Sequence, residues 1–282
     1  MILKKITIQN LGFIKHLSHE FKDGLNVVRD YRPDELSYAI RLISGHKIPP
    51  PPSLSVGVDT RIEASIFLSG KEYFVLASPN ERERSFKLSC LDALGADVTS
   101  EYLYLTKHSS EQDLTDVFSG EEDGIFLRFL KYANEDLYYS AGELSKSTDG
   151  LSDIKAFRQY LREFLDSFEP ELLRDGKGYE IILQKNGRYA VRCRVSGAVT
   201  NILSASEETL FKYLCFLRTA EFWHGFEELR NLHGIKKPLI ISGFLEKLDD
   251  SIDVRELLNR AEKLKRQTIL ITNKDIERGL KE

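Results

Sequence analysis

Two short apolar runs late in the chain, KPLIIS at 237–242 and QTILIT at 267–272, constrain the fold more than any other feature. Neither alternates polar with apolar residues, so each reads as a strand buried on both faces. Between them lies DVRELLNRAEKLKR, residues 253–266, which reads as a helix. Strand, helix, strand in that order is a crossover joining two parallel strands, and it places the chain in the α/β class.

The other end of the chain supplies further strands. ILKKITIQ alternates from Ile2 to Ile8 as a half-buried strand does. HLSHEFKDGLNVV reads as a further strand, a turn at Asp23-Gly24, and a buried strand at Leu25–Val28. RDYRPDELSY, residues 29–38, then leads into a helix. Pro33 suits a first helical position, and Asp34 and Glu35 suit a helix N-terminus. Leu36, Ala39, Ile40 and Ile43 keep helical spacing up to a stop at Gly45. A strand followed by a loop and a helix is where a phosphate-binding loop would stand, yet this stretch offers a proline, arginines and carboxylates instead of glycines and a lysine.

The middle is less patterned. PPPP at 49–52 is a stiff connector, and RIEASIFLSGKEYFVLAS is a hairpin turning at Ser69-Gly70. Short helices and loops are expected over 100–150. Residues 151–173 form an amphipathic helix with Ile154, Phe157, Leu161, Phe164, Leu165, Phe168 and Leu172 on one face. GYEIILQKNGRYAVRCRV is a hairpin turning at Asn186-Gly187, and LSASEETLFKYL is helical from about Glu207.

Composition excludes little but usefully. No apolar run is long enough to span a membrane, and MILKKITIQN lacks the apolar core and cleavage site of a secretory leader. Three widely spaced cysteines, Cys90, Cys193 and Cys215, fit reduced thiols of a cytoplasmic protein. The formal net charge of −4 gives no overall basic field for nucleic acid. RAEKLKR at 260–266 is a modest basic cluster whose ordinary meaning is a solvated helix face. His16 with His19, and His224 with His233, have no further ligands at metal spacing, so no metal site is expected. Phe222 and Trp223 read as core.

Taken in order, the strand pair, GLNVV, loop and helix, LSASEETL, PLIISGFLEKLDD and QTILITNKD make a pattern that resembles the head domain of the SMC/RecF/YhaN-type ABC ATPases. The resemblance covers about 1–45 and 200–275. It implies a P-loop NTPase-type mixed sheet with an N-terminal antiparallel β lobe and flanking helices. It further implies one head-like domain over 1–282, with lobes over about 1–150 and 151–282.

It also implies where chemistry should sit, and the expected residues are missing there. Laid without a gap on residues 30–37, the P-loop pattern puts its glycines on Asp30 and Glu35, its lysine on Leu36 and its hydroxyl on Ser37. Only Ser37 matches. The acids that follow the Walker B strand in the family fall on Ser242 and Gly243. The signature keeps Ser204 but has Ala205 and Ser206 for its glycines; Ser204 with Glu207 also reads as a capping box. Leu248, Asp249 and Asp250 resemble the D-loop, and Asp249 and Asp250 equally suit a helix cap. Asn273 stands at the position of the switch histidine.

The expectation is a non-catalytic head, a pseudo-ATPase needing no cofactor, that works as a structural or interaction subunit. The family acts in DNA repair, recombination and chromosome maintenance. Its heads pair with the signature helix of one facing the P-loop of the other. The expected partner is therefore an intact ATPase head from another chain, or a second copy, meeting this chain at Ser204, Glu207, Glu208 and Leu248–Asp250. Two alternatives stay open. One is a divergent ATPase that uses Mg and ATP through Ser37 and the acids of 246–250. The other is a DNA-binding protein using the basic helix face near 255–266.

Overall fold

The computed structural model describes residues 1–29, 33–45, 50, 54–80, 85–106, 117–118, 179–183, 189–193, 196–200, 209, 213, 217, 237–248, 254–264 and 266–274. The chain divides into two compact units. One comprises Met1–Ser119, Gly234–Glu246 and Asp253–Glu282; the other comprises Gly120–His233 and Lys247–Ile252.

The first unit holds two sheets. Strands β1 (Ile2–Leu11), β2 (Ile14–Glu20), β4 (Val56–Leu68), β5 (Lys71–Asn80) and β6 (Ser85–Asp92) form an antiparallel sheet in the order β2-β1-β4-β5-β6. Its residues alternate as the period of a strand requires. Ile62, Ala64, Ile66 and Leu68 on β4, with Tyr73, Val75 and Ala77 on β5, turn to the core. The β4–β5 hairpin turns at Ser69-Gly70, both with positive φ, as a two-residue turn between twisted strands demands.

Strands β3 (Leu25–Arg29), β7 (Val117–Phe118), β11 (Leu239–Ser242) and β12 (Thr268–Thr272) form a parallel sheet in the order β3-β12-β11-β7. The expected crossover is present: helix α3 (Val254–Glu262) separates β11 from β12, which pair in register from Leu239 with Thr268 to Ser242 with Ile271. Every residue of β11 and β12 is buried. The expectation of a buried strand at Leu25–Val28 holds for only one face. Val27 is 39% exposed, because β3 is an edge of this sheet and Val27 lines an open groove between β3 and α3.

Helix α1 (Pro33–Ile43) lies between the two sheets, packing on β11 and β12 and on β1, β4 and β5. A helix covered on both sides must be apolar nearly all round. Leu36, Ala39, Ile40 and Ile43 are fully buried, and Tyr38 and Leu42 nearly so. Gly45 ends it with φ +80, and a Cβ there would meet the Thr106 hydroxyl at 2.5 Å, so the stop read from the sequence is also a packing requirement. Helix α2 (Thr99–Leu105) sends the Tyr102 hydroxyl to donate to the Ile43 carbonyl, closing the end of α1.

In the second unit, β8 (Tyr179–Leu183), β9 (Tyr189–Cys193) and β10 (Val199–Thr200) form an antiparallel sheet, so the strands expected to flank Asn186-Gly187 do pair. Thr209, Tyr213 and Leu217 are helical and buried at four-residue spacing, as a helix starting near Glu207 requires. The helix expected over 151–173, the turn expected at Asn186-Gly187, Trp223 and most of the proline run lie outside the described residues.

One side chain ties the two sheets of the first unit together. Gln267, 3% exposed, accepts from the Leu3 N–H at 2.7 Å and donates to the Leu3 and Lys22 carbonyls at 2.8 and 3.0 Å. Leucine has nearly the same shape and none of these bonds. Gln267→Leu should cost roughly 3 kcal/mol in urea unfolding, because it strands buried backbone groups. A loss below about 1 kcal/mol would mean that the amide is not the tie.

A second tie responds to pH. Glu101 on α2 takes hydrogen bonds from Lys71 Nζ at 3.1 Å and the Tyr73 hydroxyl at 2.9 Å, both on β5. Lys71 first, then Tyr73, hold its carboxyl below the usual value of 4.5. A lowered folded pKa gives stabilisation that is complete above 4.5 and is lost as pH falls through the folded value. Stability of wild type should therefore fall more steeply below pH 4.5 than that of Glu101→Gln, read from denaturation midpoints across an acid series.

Candidate functional site

In an open parallel sheet, ligands meet the carboxyl ends of the strands, where helix N-termini and loops converge. Here that end comprises Arg29 on β3, Thr272 on β12, Ser242 on β11 and the first turn of α1. It is also the end to which the motif positions point.

At the head of α1, Leu36 is fully buried and belongs to the core formed with Val28, Ile240, Ile269 and Ile271. Ser37 is 5% exposed. Asp34 is exposed and Glu35 half-buried. The Glu35 carboxylate reaches out of the helix and accepts from the Phe13 N–H, its two oxygens lying 3.2 and 3.1 Å from that nitrogen. Phe13 sits in the β1–β2 turn, whose Gly12 has φ +57. A Cβ on Gly12 would come within 2.4 Å of Glu35 Oε1 and 3.0 Å of the Leu54 side chain, so only glycine allows this approach. The turn is held from its other side as well. Gly12 N–H donates to the Ser55 carbonyl at 2.8 Å, Asn10 Nδ2 to Asp59 at 2.7 Å, and the Thr60 hydroxyl to the Asn10 carbonyl at 2.7 Å.

At the ends of β11 and β12, Ser242 is buried and Gly243 turns the chain with φ +61, its N–H directed at the Ile271 carbonyl at 3.4 Å. A 3-10 turn, Leu245–Lys247, follows. Glu246 folds back from it, and its Oε1 accepts from the Thr272 hydroxyl at 2.7 Å and the Asn273 N–H at 2.6 Å. Its Oε2 is buried without a hydrogen-bond partner. The structure thus brings Ser242 and Gly243 beside Asn273 through Glu246, the first of the acids of 246–250 named for the divergent-ATPase alternative.

Leu248 is buried. Asp30, Ser204, Glu207, Glu208, Asp249 and Asp250 lie outside the described residues. On the helix considered for DNA, Arg255 and Arg260 are half-buried, and Arg266 just beyond it donates through Nε to the Lys237 carbonyl. The exposed residues described over 254–264 are Asn259, Glu262 and Lys263. Cys90 is free and buried; burial first, then Asp97, Glu101 and Asp92, push its thiol up to about 12, which marks a core side chain and not a nucleophile. Among the described residues no cluster of His, Cys, Asp or Glu has the arrangement of a metal site, and no helix is long and apolar enough to cross a membrane.

No family model and no curated protein matches the chain by sequence. Solved structures match it nearly end to end. An SMC head bound to the C-terminal winged-helix domain of ScpA is 14% identical, with 98% of this chain and 91% of that one covered and a TM-score of 0.61. An SMC head with an extended coiled coil, bound to the C-terminal domain of ScpA from Pyrococcus furiosus, is 14% identical over the same shares, with a TM-score of 0.54. The recombination mediator protein RecF with ATP is 16% identical, with 96% of this chain and 93% of that one covered and a TM-score of 0.53. The two sheets and the strand–helix–strand crossover agree with these matches, and the chain has the mixed α/β fold of SMC- and RecF-type ATPase heads.

Proposed function

We propose that this chain is a pseudo-ATPase head: a cytoplasmic interaction subunit that pairs with another head without nucleotide, in DNA repair or chromosome maintenance. The observation that carries this reading is the state of the α1 head. Leu36, at the place of the P-loop lysine, is fully buried in the core, and Glu35 beside it directs a carboxylate at the Phe13 N–H. A phosphate cradle needs converging N–H donors and a cation, and an anion in the first turn repels another anion. The residues at these positions do not fit Mg-ATP. Ser242 and Gly243 carry no carboxylate for a metal's water shell, and the nearby Glu246 is engaged through Oε1 with Thr272 and Asn273. The buried, unpartnered Oε2 of Glu246 is the one observation that favours a divergent ATPase instead.

The DNA-binding alternative has less support, since the arginines of 255–266 are half-buried and Arg266 is engaged with a carbonyl. Partnership is argued by analogy of fold: two of the similar SMC heads are bound to ScpA domains. For this chain the proposed contact surface is Ser204, Glu207, Glu208 and Leu248–Asp250, and the proposed occupant is an intact ATPase head or a second copy.

Calorimetry with Mg-ATP should give no isotherm in the micromolar range. Restoring the lysine should not help: Leu36→Lys places a charge in the core and should cost about 4 kcal/mol or more. A micromolar isotherm for wild type, abolished by Ser37→Ala, would establish the divergent ATPase.

Association is measured separately by light scattering, alone and with whatever head co-purifies. Reversing both Glu207 and Glu208 to lysine should weaken the assembly while leaving the unfolding midpoint nearly unchanged, since changes at a helix start rarely exceed about 1–2 kcal/mol. A wild-type chain that stays monomeric at high concentration, with no co-purifying head, would remove the basis for an interaction subunit.

A further inference from the structure

The β1–β2 turn is an unusual object to find locked. It reverses direction over few residues, carries positive φ at Asn10 and Gly12, and exposes Phe13 to 68%. Such a turn at a sheet end would ordinarily be free to sway. Here three contacts hold it to the start of β4, and a fourth comes from a different layer. That fourth contact is the Glu35 carboxylate, on a helix rooted between the two sheets. Gly12 is bare on the side facing that carboxylate, with the space for a side chain taken by Glu35 Oε1.

We propose that Glu35 is a built-in latch: its carboxylate, bridging the first turn of α1 and the Phe13 N–H, couples the β1–β2 turn to the α1 head without any bound ligand. A carboxylate and a bound anion present the same thing to an N–H, namely acceptor oxygens carrying negative charge. With Glu35 in place the turn is tied to α1 with no ligand required, and Phe13 is held outward. The latch is a conformational device and assigns no ligand to the helix end. It deepens the pseudo-ATPase reading but stands on its own geometry, so the two can fail separately.

The test uses the full chain and reads amide exchange at Phe13 with the thermal midpoint. Glu35→Ala should speed Phe13 exchange at least about tenfold while core amides such as Ile240 stay slow, and lower the midpoint by about 2–4 °C per kcal/mol lost. Glu35→Gln keeps an acceptor oxygen and should lie between wild type and Glu35→Ala. Acetate supplied to Glu35→Ala should slow Phe13 exchange again, and chloride at equal ionic strength should not. Unchanged Phe13 exchange in Glu35→Ala would overturn the latch, and so would equal rescue by chloride. Mg-ATP binding to wild type without any change at Phe13 would sink the pseudo-ATPase reading and leave the latch intact.

Discussion

The first unit depends on a single amide. Gln267 directly precedes β12 and reaches back across 264 positions to Leu3, taking the N–H and giving to the carbonyl of the same residue. It gives its second proton to Lys22, just past the end of β2. Neighbouring backbone bonds from Leu239 to Gln267 and from Thr268 to Gly24 place β11, β12 and β3 in register around it. The antiparallel and parallel sheets are thus joined between β1 and the start of β12, and α1 packs on both. Hydrophobic burial drives that packing, but it has no direction of its own. The amide supplies the direction.

The consequence for chemistry is severe. A helix covered on two sides has only its first turn to offer solvent. Leu36 is the first residue of α1 wholly inside, so a cation at that position would need both burial and a partner. The groups left for any contact are Asp34 and Glu35, and the second of these is already engaged with the turn at Phe13. Packing, not merely drift of a motif, limits what the α1 head can do.

Much of this was legible in the sequence. The continuous apolar runs marked β11 and β12, alternation marked β1 and β4, and Pro33 to Gly45 bounded α1 closely. What escaped was long-range and polar. Glu35 read as an acid at a helix start, which it is; that its carboxylate would meet a backbone N–H 22 residues earlier depends on where two sheets come together. Gln267 read only as the start of the apolar run QTILIT. Glu246 read as one acid among several after an apolar run. Local periodicity reports which face of an element is buried, and says nothing of which buried polar group another element will satisfy. Val27 failed for the opposite reason. Its strand is apolar enough for a sheet interior, and only the strand order puts it at an edge.

Glu35 and Glu246 perform the same act near the carboxyl ends of the parallel strands. Each leaves its own element, and each accepts a backbone N–H from a neighbouring one: Phe13 in the first case, Asn273 in the second. Backbone donors at the end of a parallel sheet are what make such ends attractive to anions. Glu246 satisfies one such donor, at Asn273, and Glu35 in the first turn of α1 satisfies one in the β1–β2 turn of the other sheet; both bring the negative charge of a carboxylate to this end. Charge of that sign disfavours a polyphosphate approaching the same end and favours a surface rich in N–H donors or cations. A helix N-terminus on another protein has that character without a net charge. The electrostatics of the strand ends thus support the same reading as the buried Leu36, and they do so through residues that no motif comparison requires.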